Sequence, residues 1–354
     1  MDWTPYQFFL AALMLVTGSI NTLSTKWADV GEAKGAPRWA EWDAHDTRAF
    51  YHPFFQSVCM FVGEMSCLLV FKLVFAYKRK RNQRMDIGPQ RFSPLVMLPP
   101  AMCDMCGTSL MYIGLALTYA SSFQMLRGAV IIFTGLLSVA FLGKKLKVYE
   151  WLGMFVVLAG LIIVGVTDLL EDKGGLPLNN ILTGDLLIIM AQIITATQMV
   201  VEEKFLKQYD IPPLQAVGWE GVFGFSVLSI LLVPFYFIPA GAFTPVQIPG
   251  YPLEDAIDAF YQMHFNKFIL IATFGTLISI AFFNFAGISV TREMSATTRM
   301  VLDSLRTLTV WFVAVGVGWE NFHPLLLLGF AFLLLGTFIY NDAVFAPFLR
   351  RSGI

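Results

Sequence analysis

Charge is what this chain has least of. Asp, Glu, Lys and Arg together make up 14% of its 354 residues, where a soluble domain carries about a quarter, so a water-soluble fold is not expected. Cysteine is scarcer still. Cys59, Cys67, Cys103 and Cys106 all fall inside apolar stretches, which excludes a framework of loop disulfides; Cys103-x-x-Cys106, alone in a helix, reads as packing and not as metal or redox chemistry. The four histidines, His45, His52, His264 and His323, lie between apolar stretches and lack the close spacing of zinc ligands. They read as surface side chains, although an acidic compartment would protonate them near their ordinary pKa of about 6.5. P-loop, GxSxG, HExxH and dinucleotide fingerprints are missing, so neither an enzyme nor a cofactor is expected, and nothing points to nucleic acid. The net charge of -1 is uninformative, because a membrane protein sorts its charge by side of the bilayer.

What the chain has is apolar surface, with 56% of its residues hydrophobic. Runs of about 18–25 apolar residues, each able to cross roughly 30 Å at 1.5 Å per residue, recur near 5–26, 53–76, 94–118, 121–142, 150–169, 184–204, 214–237, 267–288, 295–317 and 322–341. The reading is an all-α polytopic membrane protein of ten transmembrane helices, since backbone groups in lipid must be satisfied within each helix. The first run follows MDWTPYQ, which has no positive charge, so it reads as a retained helix and not as a signal peptide. With the amino terminus in the cytosol, thirteen Lys and Arg fall in cytosolic loops, among them Lys78, Arg79, Lys80 and Arg81, against Lys34, Arg38, Arg48, Lys173 and Lys267 opposite. Both termini are therefore expected in the cytosol.

Part of the sequence occurs twice. SSFQMLRGAVIIFTGLLSVAFLG from Ser121 parallels ATTRMVLDSLRTLTVWFVAVGVG from Ala296; Pro53-x-x-Gln56-x-Val58 returns as Pro212-x-x-Gln215-x-Val217; Leu152-Gly153 with Gly160 returns as Leu328-Gly329 with Gly336. Matching spans one to five with six to ten gives two repeats, residues 1–176 and 177–354, which together form one transmembrane transporter domain. Five is odd, so the second repeat crosses the membrane the opposite way, the inverted 5+5 design of secondary carriers.

The charges inside these spans include Glu64, Asp104, Arg127, Glu220, Arg299, Asp303 and Arg306. Facing lipid, they would cost on the order of 20 kcal/mol at insertion-scale values, so they must face the bundle interior or water. Arg299, Asp303 and Arg306 are spaced i, i+4, i+7 and share a helical face. Arg127, Arg306 and Arg299, with Gln124, could hold a phosphate or carboxylate through forked hydrogen bonds. The alternative is purely internal neutralisation, with Asp303 serving Arg299 and Arg306 while Asp104 or Glu64 serves Arg127. Glu64, Asp104 and Glu220 are candidates for coupling or gating, because a poorly solvated carboxyl holds its proton more tightly. Glu202 and Glu203, beside Lys204 at a membrane edge, are expected to reach water. Pro99-Pro100 inside the third span should kink or break it. The glycine pairs of spans five and ten permit close helix approach, with a homodimer as a further option.

The segments TGSINTLSTKWAD from Thr17, SLMYIGLALTYASSFQMLRGAVIIFTGL from Ser109, TGDLLIIMAQII from Thr183 and IAFFNFAGISVTREMSATTRMVLDSLRT from Ile280 resemble the solute carrier 35 family of the drug/metabolite transporter superfamily. The resemblance implies a central cavity lined by spans one to four and six to nine, a nucleotide-sugar-like or other small polar solute, the lipid bilayer as surroundings, and a lysosomal or mitochondrial membrane. It also leaves room for a scaffold that binds a mitochondrial carrier. Phe282-Phe283-Asn284-Phe285 weakly echoes the family's aromatic-asparagine motif and adds Asn284 to the substrate-binding candidates. A GxLNK motif is missing, and the chain ends FLRRSGI without an acidic, dileucine-bearing tail.

Overall fold

The computed structural model describes residues 4–42, 47–81, 92–118, 120–170, 178–241, 248–318 and 324–340. They form helices α1 (Pro5–Val30), α2 (Pro53–Lys80), α3 (Leu98–Leu117), α4 (Ala120–Leu126), α5 (Val130–Leu142), α6 (Val148–Leu170), α7 (Leu178–Tyr209), α8 (Pro213–Phe237), α9 (Ala256–Phe265), α10 (Lys267–Glu293), α11 (Ala296–Val317) and α12 (Pro324–Tyr340). One two-residue antiparallel pair, Glu32–Ala33 with Arg48–Ala49, is the sheet among these residues. Seven of the helices are long and apolar enough to cross a membrane: α1, α2, α7, α8 and α10 over their lengths or nearly so, with Val148–Thr167 and Thr298–Val317. Arg127–Leu142 and Leu327–Tyr340 are shorter apolar stretches.

Helix ends follow local chemistry. Thr4 and Gln7 form a reciprocal capping box at the start of α1, and Pro53 and Pro213 occupy the first turns of α2 and α8, where a missing N–H costs nothing. Pro99 and Pro100 behave the same way. A 3₁₀ turn, Pro94–Met97, leads directly into α3 at Leu98, so the prolines lie in the first turn of the helix and do not break its middle. The interruption expected in the third span is found in the fourth. There the α-helical bonding gives way to a 3₁₀ turn over Arg127–Ala129, between α4 and α5. Its twin, α11, runs unbroken. Gly143 ends α5 in the left-handed conformation, with φ 64°, which an L side chain rarely adopts.

The chain divides into two compact units, each drawing on both sequence halves: residues 1–105 with 205–289, and residues 106–204 with 290–354. In the first, α2 and α8 lie against each other through Gly218, Gly221 and Gly224, which meet the α2 backbone at Leu68, the backbone at Glu64 and Met65, and the Phe61 ring in turn. As the α8 number rises the α2 number falls, so the two helices run antiparallel. In the second, α6 and α12 form an equivalent seam. A Cβ on Gly153 would lie 2.7 Å from the Gly336 carbonyl oxygen, and one on Gly160 2.8 Å from that of Gly329. All four glycines are consumed inside the chain, so they are not a surface for a second copy. Around this seam gather Met125, Val130, Ile131, Met154, Trp311 and Phe330.

A leucine at Gly153 would have to separate α6 from α12, whereas one at Gly165, with nothing within 4 Å of its Cβ position, meets no neighbour. Gly153→Leu is expected to destabilise the detergent-solubilised protein by roughly 1–3 kcal/mol, read as a lower unfolding midpoint. Gly165→Leu should leave the midpoint near that of the parent.

Candidate functional site

In the second unit, the face that periodicity assigns to α11 comes into contact with α4, α5 and α7. Asp303 forms an ion pair with Arg306 at 2.8 Å through one carboxylate oxygen, and its other oxygen lies 3.5 Å from an Arg127 guanidinium nitrogen. One carboxylate is thus shared by two guanidiniums, and Arg306 is 4% exposed. Arg127 opens the 3₁₀ turn, with its guanidinium 5.9 Å from the Phe123 ring centre. The first copy of the repeated helix thus shares the acid of the second copy. The Gln124 side chain lies outside the described residues.

Arg299 does not use Asp303 as its ion-pair partner. It is paired with Glu202 of α7, which is fully buried. Glu203, 1% exposed, pairs with Lys144 at 3.0 Å and accepts the Ala296 backbone N–H at 2.9 Å. That places a carboxylate at the start of α11, where the helix dipole favours it. The expectation that Glu202 and Glu203 reach water is overturned, because α7 continues through them to Tyr209 and the first turn of α11 packs over both. A cavity of about 20 Å³ beside this site, among Met125, Gly128, Ser304, Thr307 and Thr337, has room for a water and not for a solute.

The first unit holds the remaining candidates. Glu64, 1% exposed, accepts a hydrogen bond from the Asn284 carboxamide of α10, so two residues expected in different roles meet directly. Glu220 is buried on α8, next to the Gly221 that packs on the α2 backbone at Glu64. Asp104 is half-buried on α3. Among the described residues, no group of three or more His, Cys, Asp or Glu side chains is placed to hold a metal ion.

A third polar cluster, also in the first unit, escaped the sequence reading. Residues 31–42 and 47–52, after α1, fold with residues 248–258 around Glu254, Asp255 and Asp258, all at most 2% exposed. Glu254 accepts the backbone N–H groups of Phe54 and Phe55 at 2.8 and 3.0 Å, capping α2, and receives His52 Nδ1 at 2.8 Å. Asp255 caps α9 and takes Arg38 and the Trp39 indole. Asp258 meets Arg48, the Ala36 N–H at 2.6 Å and His52 Nε2 at 3.3 Å. His52 is thus buried between two carboxylates, one on each ring nitrogen, and both contacts are hydrogen bonds only if the ring is doubly protonated. Burial works to lower its pKa, but the hydrogen bonds to Asp258 and Glu254 outweigh burial and push it up to about 9. Burial likewise works to raise Asp258; His52, Arg48 and the Ala36 N–H together hold its carboxyl well below the usual range. His52 is a lasting cation, not the surface side chain that its loop position implied. His264 is exposed, while His45 and His323 lie outside the described residues. The sequence signal was Leu253-Glu254-Asp255-Ala256-Ile257-Asp258, an N-cap with an acid three residues on, which identifies a helix start but no partner.

Residues 44–237 match the profile of solute carrier family 35. The chain is similar to solute carrier family 35 member F6 of Homo sapiens, with 56% identity over 99% of this chain and 92% of the human protein. It is similar to the Mus musculus protein of the same name at 55%, covering 96% and 90%. An uncharacterized Schizosaccharomyces pombe protein is 32% identical over 96% of this chain and 98% of its own length. A solved chain described as "Crystal structure of protein" superposes with a TM-score of 0.58 at 14% identity, covering 99% of this chain and all of its own, a likeness of fold alone.

Removing one partner of a buried ion pair strands the other. Glu202→Gln is expected to destabilise the protein by about 3–5 kcal/mol, measured as a lower unfolding midpoint than for a substitution at exposed Glu293. The His52 cluster gives a pH signature. A raised histidine pKa contributes stability in full below its ordinary 6.5 and loses it as pH climbs through about 9. The depressed Asp258 contributes above the ordinary carboxylate range and weakens only in stronger acid. Amide exchange at Ala36, Phe54 and Phe55, corrected for intrinsic rate, should therefore be slowest between about pH 4 and 6.5 and accelerate toward pH 9. The His52→Gln protein should lack that alkaline loss.

Proposed function

This chain belongs to solute carrier family 35, and from that membership we propose that it is a secondary carrier, moving a small anionic organic solute across an intracellular membrane by alternating access. The observation that carries the anionic preference is the sharing of Asp303 by Arg127 and Arg306. Two guanidiniums gathered on one carboxylate present several N–H donors at one place, in surroundings where a charge is expensive to bury. A phosphate or carboxylate group entering there takes forked hydrogen bonds from both arginines. A nucleotide-sugar-like solute satisfies this chemistry.

In this reading Arg127 and Arg306 face the solute. Arg299, held by Glu202, belongs to the frame that positions α11. The 3₁₀ turn at Arg127 lets α4 and α5 change their mutual angle while the guanidinium follows the solute, since short 3₁₀ stretches inside helices often mark hinges. Glu64 with Asn284, and Glu220 and Asp104, are the coupling or gating groups.

The ten-span, inverted 5+5 plan with repeats 1–176 and 177–354 is part of the same proposal. Its support is that α2 with α8, and α6 with α12, are the helix pairs matched by repeated motifs, and that they pack antiparallel, as mates in inverted repeats must. The Lys and Arg asymmetry supports both termini in the cytosol.

Purified protein in liposomes, offered nucleotide sugars, sugar phosphates and carboxylates against cationic amines, tests the reading. Uptake of at least one anion is expected, and Arg127→Ala and Arg306→Ala should each reduce it by about tenfold or more, the loss of one charged hydrogen bond. Gly165→Leu should retain it. Transport indifferent to both arginines, or confined to cations, overturns the assignment.

A further inference from the structure

The ten-residue helix α9 has one face that stays largely exposed in its own unit, although the Phe55 and Phe260 rings meet edge to face with their centres 5.0 Å apart. Asp258, Ala259, Gln262 and Met263 point inward and are buried. Ile257, Phe260, Tyr261 and Phe265 point outward and are 53%, 62%, 41% and 56% exposed. The split follows the 3.6-residue period, so this is an amphipathic helix with its polar partners inside and its aromatic side outside, the reverse of what a water-facing loop helix presents.

The neighbours of that face indicate what lies against it. A single residue, Asn266, separates α9 from α10, a helix apolar and long enough to span the membrane, and the exposed row continues along α10 through Phe268, Ile271 and Phe274. The Asn266 carboxamide donates to the Glu32 carbonyl at 2.9 Å. This ties the start of α10 to the segment just past the end of α1, where Trp27 is also exposed. Exposed Phe237 ends α8, and the next carbonyl, of Ile238, accepts the Leu253 N–H just before α9 at 2.7 Å. The aromatic side chains Trp27, Phe237, Phe260, Tyr261, Phe265 and Phe268 thus cluster where three spanning helices end or begin, which is where aromatic belts meet the headgroup region. Helices that lie in a bilayer interface have this pattern, a short amphipathic segment with Phe or Trp on the buried side.

We propose that α9 lies in the bilayer interface, with Phe260, Tyr261 and Phe265 inserted at the boundary between phospholipid headgroups and acyl chains. Its inner face then delivers Asp255 and Asp258 to Arg38, Arg48 and His52. The acidic cluster that caps α2 is thereby held at a set depth by the lipid on the far side of one helix turn. The inference rests on the membrane-spanning character of the chain and not on its substrate or transport activity.

Two measurements test it on the full chain in phosphatidylcholine nanodiscs. The unmodified protein is photolabelled with phosphatidylcholines bearing a diazirine either near the headgroup or at the acyl terminus, and modified residues are located by mass spectrometry. Residues 257–265 should be labelled by the first reagent and not the second, which should reach Phe274. Separately, nitroxides placed singly at Phe260, Phe265, Phe274 and Glu32, in a background with the four cysteines replaced by serine, are read by power saturation with oxygen and a water-soluble nickel chelate. Positions 260 and 265 should fall between the lipid-facing 274 and the water-facing 32. The proposal is overturned if 260 and 265 match Glu32 in chelate access and escape photolabelling, which makes α9 an aqueous helix. It is equally overturned if they show spin–spin broadening between copies, which makes the face a contact between chains.

Discussion

A charge taken out of water between helices must meet its opposite, and this chain is organised around that requirement. Asp303 sits between Arg127 and Arg306, Glu202 takes Arg299, Glu203 takes Lys144, and Glu254, Asp255 and Asp258 take His52, Arg38 and Arg48. Apart from Asp303 with Arg306, three residues apart on α11, each pair joins segments far apart in the chain, so the helices that carry them are held in register by electrostatics as well as by apolar contact. Leaving any such group alone costs several kcal/mol, comparable to the whole stability of an ordinary domain. The helices have little freedom to choose other neighbours.

Glycine makes that register close. In hydrocarbon, apolar side chains gain little from leaving lipid for another helix, so contact depends on how near two backbones approach. Gly218, Gly221 and Gly224 bring α8 onto α2, and Gly153, Gly160, Gly329 and Gly336 bring α6 onto α12. In the first seam the approach sets Glu64 beside Asn284 and Glu220 in a buried layer. In the second it steadies the helices behind Arg127 and Asp303.

Much of this was legible before any coordinates. The apolar runs marked the helices because a bilayer demands about twenty apolar residues per crossing, and the i, i+4, i+7 spacing correctly placed Arg299, Asp303 and Arg306 on one face. The repeated glycines foretold close seams. The misreadings share one cause, which is that burial depends on what packs over a residue. Glu202, Glu203 and His52 lie near predicted span ends, where sequence pattern favours solvent, yet α11 and α9 cover them. Pro99-Pro100 looked like a break because the helix start could not be located to within a turn. The partner of Arg127 stays open in the sequence, because it lies 176 residues away.

The sequence by itself determined that this is a multi-pass helical membrane protein of the solute carrier 35 family, with charges in its spans that must face inward. These follow from hydrophobic length, from the cost of charge in lipid and from motifs local to single helices. Only the tertiary structure decided which carboxylate answers which cation, that the two long connections close into an ion-paired cap, and that the helix break falls at Arg127. Apart from Asp303 with Arg306, each of these depends on segments 59 residues or more apart meeting in space, or on backbone hydrogen bonds shifting by one residue under that packing, and no local pattern encodes either.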